Sequence, residues 1–194
     1  MVSTRNLMRF LLLGAFFTTV VIFGSTNYDP INIPKLYILS LFAFLGIGFF
    51  ISKFSLEILK KEQMDLFHAA ILIYVLLLVC NLFINHQTLD ERFFGSSSRN
   101  TGFLAYLSFA LLGFLFSFSN SEKDSVSLFK VLFLANIVVS VYFILQLEGK
   151  DLFKIQNFYQ APSSTLGNPN FVAGFLGLSS ISPLIIGLLE KRRS

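Results

Sequence analysis

Two short polar stretches between long apolar blocks hold most of the residues that could do chemistry. The first is Phe93-Phe94-Gly95-Ser96-Ser97-Ser98-Arg99-Asn100-Thr101-Gly102, and the second is Ser163-Ser164-Thr165-Leu166-Gly167-Asn168-Pro169-Asn170-Phe171. The second reads as the start of a helix. Asn168 is a strong N-cap residue, Pro169 suits the first helical position, and Gly167 permits a sharp approach. A start of this kind leaves several backbone N–H groups pointing outward at the positive end of the helix dipole. Phosphate and carboxylate groups bind well there. The first stretch precedes another apolar block, with Asn100 or Thr101 as the expected cap. Arg99 then lies just before a helix amino terminus, where a cation is disfavoured by roughly 0.3–1 kcal/mol. An external anion shared by Arg99 and the helix ends would make that placement favourable. Anchoring of Arg99 to lipid headgroup phosphates accounts for it equally well.

Other reactive residues point to nothing specific. No nucleotide loop, metal cluster or nucleophile triad is present in the sequence. His68 and His86 are expected at opposite ends of one helix, where they cannot share a metal and are solvated at the interfaces. Cys80 lies in an apolar block with no base near it in sequence, so it reads as a small buried hydrophobe. The run Ser96-Ser97-Ser98 reads as a flexible turn. No catalytic residue, metal or cofactor is therefore expected.

The elements that must position the two polar stretches are membrane helices. Of 194 residues, 54% are hydrophobic and only 13% charged, against about 25% charged in a soluble domain. The apolar residues fall in blocks close to the ~20 residues that cross a hydrocarbon core. Lipid offers the backbone no hydrogen-bond partners, so each block must satisfy its own as a helix. Six spans are expected, near 7–24, 36–52, 66–84, 101–119, 126–147 and 170–189. They form an all-α bundle in a single transmembrane domain, residues 1–194, whose main partner is the lipid bilayer. The first block has a basic start but lacks a small-x-small cleavage pattern, so it reads as a retained helix. Pro183 should kink the sixth span, with Ser179, Ser180 and Ser182 close enough to satisfy freed groups. Ala173, Gly174 and Gly177 should let another helix approach closely.

Orientation follows from basic residues in the short loops. With the amino terminus inside, Arg5, Arg9, Lys53, Lys60, Lys61, Lys123, Lys130, Lys191, Arg192 and Arg193 lie on the cytoplasmic side. Lys35, Arg92, Arg99, Lys150 and Lys154 lie outside. Ten against five accounts for all 15 Lys and Arg, and both termini are expected in the cytoplasm. The net charge of +4 is explained by this arrangement and does not call for nucleic acid. Tyr28, Tyr37, Tyr106, Tyr142 and Tyr159 map to the outer side as an aromatic belt or a surface for stacking sugar rings. Glu57 four residues before Lys61 suits a short solvated helical extension.

The two polar stretches carry a resemblance. Gly95-Ser96-Ser97-Ser98-Arg99-Asn100-Thr101-Gly102 before an apolar span resembles the "GS…R…G" stretch of the O-antigen ligase and polymerase superfamily. Thr165-Leu166-Gly167-Asn168-Pro169-Asn170-Phe171-Val172-Ala173 resembles its "T-[FL]-G-N-P-N-[FY]-x-[AG]" signature. The resemblance covers the amino-terminal half of a typical member. It implies a multi-pass glycosyltransferase of the bacterial inner membrane that acts at the periplasmic face on undecaprenyl-pyrophosphate-linked glycans. On that reading Arg99, Asn100, Gly102, Gly167, Asn168, Pro169 and Asn170 are the candidate contacts to pyrophosphate or glycan. The family's catalytic arginines and histidine lie downstream of the Gly-Asn-Pro-Asn motif, so no residue here takes those roles. The alternative is a non-enzymatic membrane protein, such as a transporter half or assembly subunit.

Overall fold

A computed structural model describes residues 4–22, 29, 31–53, 66–96, 99–118, 122–153 and 161–191. All regular structure among these is helical. In chain order the helices are α1 (Thr4–Val20), α2 (Asn32–Lys53), α3 (Leu66–Ile84), α4 (Leu89–Phe94), α5 (Phe103–Ser117), α6 (Glu122–Leu147), a 3-10 turn (Ser164–Leu166), α7 (Pro169–Ser179) and α8 (Ser182–Lys191). The loop expected to hold Glu57 and Lys61 lies outside the described residues, as do Tyr28 and Tyr159.

Among the described residues four segments are long and apolar enough to cross a membrane: Asn32–Ser52, Leu66–Ile84, Lys123–Leu147 and Pro169–Lys191. The apolar α1, at 17 residues, is about 25 Å long and α5, at 15, about 22 Å. Both are shorter than a ~30 Å hydrocarbon core. The third span has the bounds read from the sequence; the second begins four residues earlier than expected. Asp29 explains the early start, because its carboxylate accepts from the Ile31 and Asn32 N–H groups at 3.1 and 2.8 Å. That satisfies donors a helix end otherwise leaves orphaned.

The chain divides into two compact units, one of Met1–Leu11 with Leu36–Asn120 and the other of Leu12–Lys35 with Ser121–Ser194. In the first unit Leu7, Leu11, Phe50 and Leu115 form the buried centre. Beside it Phe50, Phe114 and Phe118 pack with ring centroids 4.9–5.6 Å apart, the tilted and edge-on geometry that aromatic quadrupoles favour. His68 joins them. Its ring is 5.4 Å from Phe118 and 5.7 Å from Phe114, and Nε2 lies 2.9 Å from the Ser117 hydroxyl. At 8% exposure it is a core residue, not the solvated interfacial histidine expected. The aromatic wall removes it from water, and the serine satisfies its ring nitrogen. Most of the rest of α3 is exposed and apolar: Leu66, Leu76, Leu77, Phe83 and Ile84 all face outward. Cys80 is exposed as well, contrary to the buried position expected. An apolar helix without a polar face fits contact with lipid.

In the second unit α6 packs against α7 and α8. Lys130 of α6 pairs with Glu190 of α8 at 2.7 Å, so a charge read from the sequence only for orientation has a carboxylate partner. The last span is broken at Ser180 and Ile181, where Pro183 cannot donate to the Ser179 carbonyl. Ser179 and Ser180 hydroxyls donate to the Phe175 and Gly177 carbonyls. Ser182 departs from expectation, since its buried hydroxyl has no protein partner among the described residues. The Asn136 amide crosses from α6 to Ser179 Oγ at 2.6 Å. The small residues do not serve close packing inside this unit. A methyl group added at Gly174 or Gly177 would meet nothing within 4 Å among the described residues.

Candidate functional site

The first polar stretch is a pinched loop. Gly95 has φ +93°, and a Cβ there would lie 2.4 Å from the Thr101 nitrogen. A Cβ on Gly102 would lie 2.3 Å from the Gly95 nitrogen and 2.6 Å from the Phe93 carbonyl oxygen. Only glycine permits this backbone-on-backbone contact. The loop it closes has its ends touching in the manner of an Ω-loop. Inside it, Arg99 and Asn100 N–H groups both donate to the Ser96 carbonyl, at 3.1 and 3.2 Å. Asn100 takes a left-handed φ of 49°, which asparagine tolerates better than most residues. Arg99 is exposed on this loop.

The following helix begins differently from expectation. Its N-cap is Gly102, not Asn100 or Thr101, and no side chain caps it. The pinch fixes Gly102 in extended backbone immediately before the helix, so the cap position falls where the glycine contact puts it. A preceding feature was also unanticipated. Thr88 and Glu91 form a capping box that starts α4, a Thr-x-x-Glu pattern visible in the sequence. Arg92 then turns back on α3, its Nε donating to the Gln87 carbonyl and its Nη1 to the Leu82 carbonyl, each at 2.7 Å. A cation on the last carbonyls of a helix sits at the negative end of the dipole.

The second polar stretch, in the other unit, is a helix start as the sequence reads. Gly167 is left-handed at φ 75°, and Asn168 is an extended N-cap whose side chain accepts from Asn170 N–H at 2.8 Å. Pro169 occupies the first helical position. The outward donors are fewer than expected, however. Pro169 has none and the Asn168 side chain takes that of Asn170. Phe171 N–H is left as the one donor among the first three helical positions without a protein acceptor among the described residues.

What holds this turn is a set of buried polar contacts. Ser163, Ser164 and Thr165 are at most 3% exposed. Gln146 Oε1 accepts from both Ser163 N–H and Ser164 N–H, at 3.1 and 2.7 Å. Ser164 Oγ donates to the Val139 carbonyl, and Thr165 Oγ1 to the Thr19 carbonyl. Thr19 also accepts from Lys35 Nζ at 2.7 Å. Lys35, read from sequence only as a charge outside the membrane, therefore stands part-buried behind this turn. Tyr142, expected on the outer side in an aromatic belt or a sugar-stacking surface, is buried and donates to Asp151.

Among the described residues no cluster of three His, Cys, Asp or Glu side chains could hold a metal ion. Chemically, one unit offers an exposed guanidinium on a pinched loop. The other offers a helix amino terminus with a lysine close behind it. No family model matches the chain, and no curated protein or solved structure matches it either.

Proposed function

We propose that this chain is the donor-binding part of an O-antigen ligase or polymerase-type glycosyltransferase in a bacterial inner membrane. Its substrate is an undecaprenyl-pyrophosphate-linked glycan. In this reading α1 and α5 join the four longer segments as six spans, both termini are cytoplasmic, and each polar turn faces the periplasm. Arg99 and Asn100 hold donor phosphate from the pinched loop. The Gly167-Asn168-Pro169-Asn170 start, with Phe171 N–H and the Lys35 charge, holds anionic charge from its own unit.

One observation carries the reading. The residues Thr165 to Asn170, which spell the signature, form a helix start with a left-handed glycine, an asparagine cap and a proline at the first position, held at its near end by the part-buried Thr165 bond to the Thr19 carbonyl. That is the conformation such a motif requires if it is to present a helix end to an anion.

The test begins with single cysteines at Ser96 and Asn170 in a Cys80→Ser background. An impermeant maleimide added to cells with a permeabilised outer membrane should label both, while terminal tags stay protected until lysis. Cytoplasmic placement of either turn would overturn the reading. Arg99→Gln should lower donor affinity in the intact system roughly 10- to 100-fold, as expected for loss of a charge-assisted hydrogen bond.

A second reading, as a transporter half, draws on the broken last span and the Asn136–Ser179 contact at that break. Discontinuous helices are common at transport sites. It gains if Asn136→Leu abolishes function while Arg99→Gln leaves it intact.

A further inference from the structure

A half-open cavity lies within the first unit, where the end of α3 meets the start of α5. It encloses about 100 Å³ and is open on one side. Leu78, Leu82 and Phe103 contribute apolar wall, while Asn81, Asn85, Gln87, Glu91, Thr101 and Tyr106 contribute polar groups. Gly102, a candidate contact from the sequence, and Thr101 of the same polar stretch also line it; the sequence read Tyr106 as part of the outer tyrosine set and marked no site at Asn81, Asn85, Gln87 or Glu91.

The lining selects a ligand class. Arg92, also at the wall, is already committed to the Gln87 and Leu82 carbonyls. With Glu91 it leaves the lining without net charge, which disfavours a bare phosphate. Asn85 and Gln87 are partly engaged with each other, the Asn85 carboxamide accepting from Gln87 N–H at 3.2 Å. The Asn81 carboxamide and the Thr101 and Tyr106 hydroxyls have no hydrogen-bond partner among the described residues. Carboxamides and hydroxyls both donate and accept; the Glu91 carboxylate accepts only, with Oε2 already taken by Thr88 and Oε1 left for a ligand. Asn81 is exposed near the end of an apolar span, where an amide that faced lipid would be costly unless water or a ligand completed it. Adjacent hydroxyl groups on a ring match this set, each being donor and acceptor at once. The Tyr106 ring and Phe103 supply apolar surface for the ring's C–H face.

We propose that this cavity binds a neutral polyhydroxylated group, a sugar ring or the glycerol of a lipid headgroup, through Asn81, Glu91, Thr101 and Tyr106. The glycan of the proposed donor is one source, and in that respect the inference deepens the functional reading.

The experiment uses the whole chain in nanodiscs of phosphatidylcholine, with methyl glycosides of glucose, galactose and N-acetylglucosamine as probes. Saturation-transfer NMR on the wild-type protein should show saturable transfer to ring protons of at least one glycoside, in the millimolar range expected for a single ring. Asn81→Leu and Glu91→Gln should each weaken it roughly tenfold. Glu91→Gln keeps the capping box, since glutamine serves at that position, so its loss of binding is not a loss of fold. Unchanged thermal midpoints check Asn81→Leu. In phosphatidylglycerol nanodiscs, loss of the signal assigns the cavity to the glycerol headgroup, and a persistent signal assigns it to sugar. The proposal is overturned by absence of saturable transfer in wild-type protein, by wild-type binding in both variants, or by displacement with inorganic phosphate. Free glycosides require no transfer reaction, so failure here and failure of the glycosyltransferase reading are separate results.

Discussion

Gly102→Ala is expected to open the pinched loop and lower the stability of the first unit by roughly 1–3 kcal/mol, the usual range for overpacking. The added methyl would stand 2.3–2.6 Å from three backbone atoms, the Gly95 nitrogen, the Phe94 carbonyl carbon and the Phe93 carbonyl oxygen. A flexible side chain can swing aside, but these atoms belong to the end of α4 and the turn after it. Relief requires the loop ends to separate, which carries Arg99 away with them. Gly95→Ala should do the same, with the added strain of φ +93°. Gly48→Ala and Gly174→Ala are the controls. Both lie inside helices with open space around the new methyl, so each should stabilise by up to about 1 kcal/mol through helix propensity. Heating the four variants in detergent and following far-UV circular dichroism gives the sign of each change. A Gly102→Ala protein that melts with the wild type would mean that the loop ends do not touch.

The contrast between those glycines marks what could be read from the chain and what could not. The bounds of the third span, the Asn168 cap, the Pro169 position and the Gly167 turn were legible because each depends on residues close by in sequence. The pairing of Gly95 with Gly102 was not, since a glycine's reason is the atom it lets approach, and no local pattern names that atom. The small patch at Ala173, Gly174 and Gly177 is a different case. Its composition suggests close packing, yet its own unit leaves both glycines open. Lys35 and Arg92 enter the sequence reading only as topology charges, and the structure adds that each bonds to a carbonyl at or near a helix end, Lys35 on α1 and Arg92 on α3. A count of charges sets which side of a membrane a loop occupies; it says nothing of where the side chain goes next. His68 was misplaced for a related reason. Its partners Phe114, Phe118 and Ser117 come from a helix end almost fifty residues away, and only their convergence makes a core position of it. The Thr88–Glu91 capping box, by contrast, is a local pattern, a Thr-x-x-Glu spacing that the sequence alone displays.

Gln146→Leu is expected to have the largest effect in the second unit, although nothing in the sequence marks this glutamine. It lies at the end of α6, and its one carbonyl oxygen accepts two backbone N–H groups from Ser163 and Ser164. Both serines are at most 2% exposed, so water cannot readily replace the glutamine. Leucine matches its bulk but accepts nothing, and each N–H left unsatisfied costs about 1–3 kcal/mol. Together they reach roughly 2–6 kcal/mol, enough to unseat the 3-10 turn. The Asn168 helix start follows that turn directly, with Gly167 N–H bonded back to the Ser163 carbonyl, so the candidate anion site should be lost with it. Gln146→Glu retains an acceptor for both N–H groups. It gives up the donated bond to Asp151 and adds repulsion with that carboxylate, so it should fall between wild type and the leucine variant. Ser164→Cys at this buried position, again with Cys80→Ser, reports the outcome directly. The new thiol should resist a hydrophilic maleimide in the otherwise unchanged protein. Combined with Gln146→Leu it should react readily, and combined with Gln146→Glu only slowly. Equal protection in all three would show that the Thr165 bond to Thr19 and the packing around it hold the turn without the glutamine. The signature segment would then owe its shape to that bond and packing and not to Gln146.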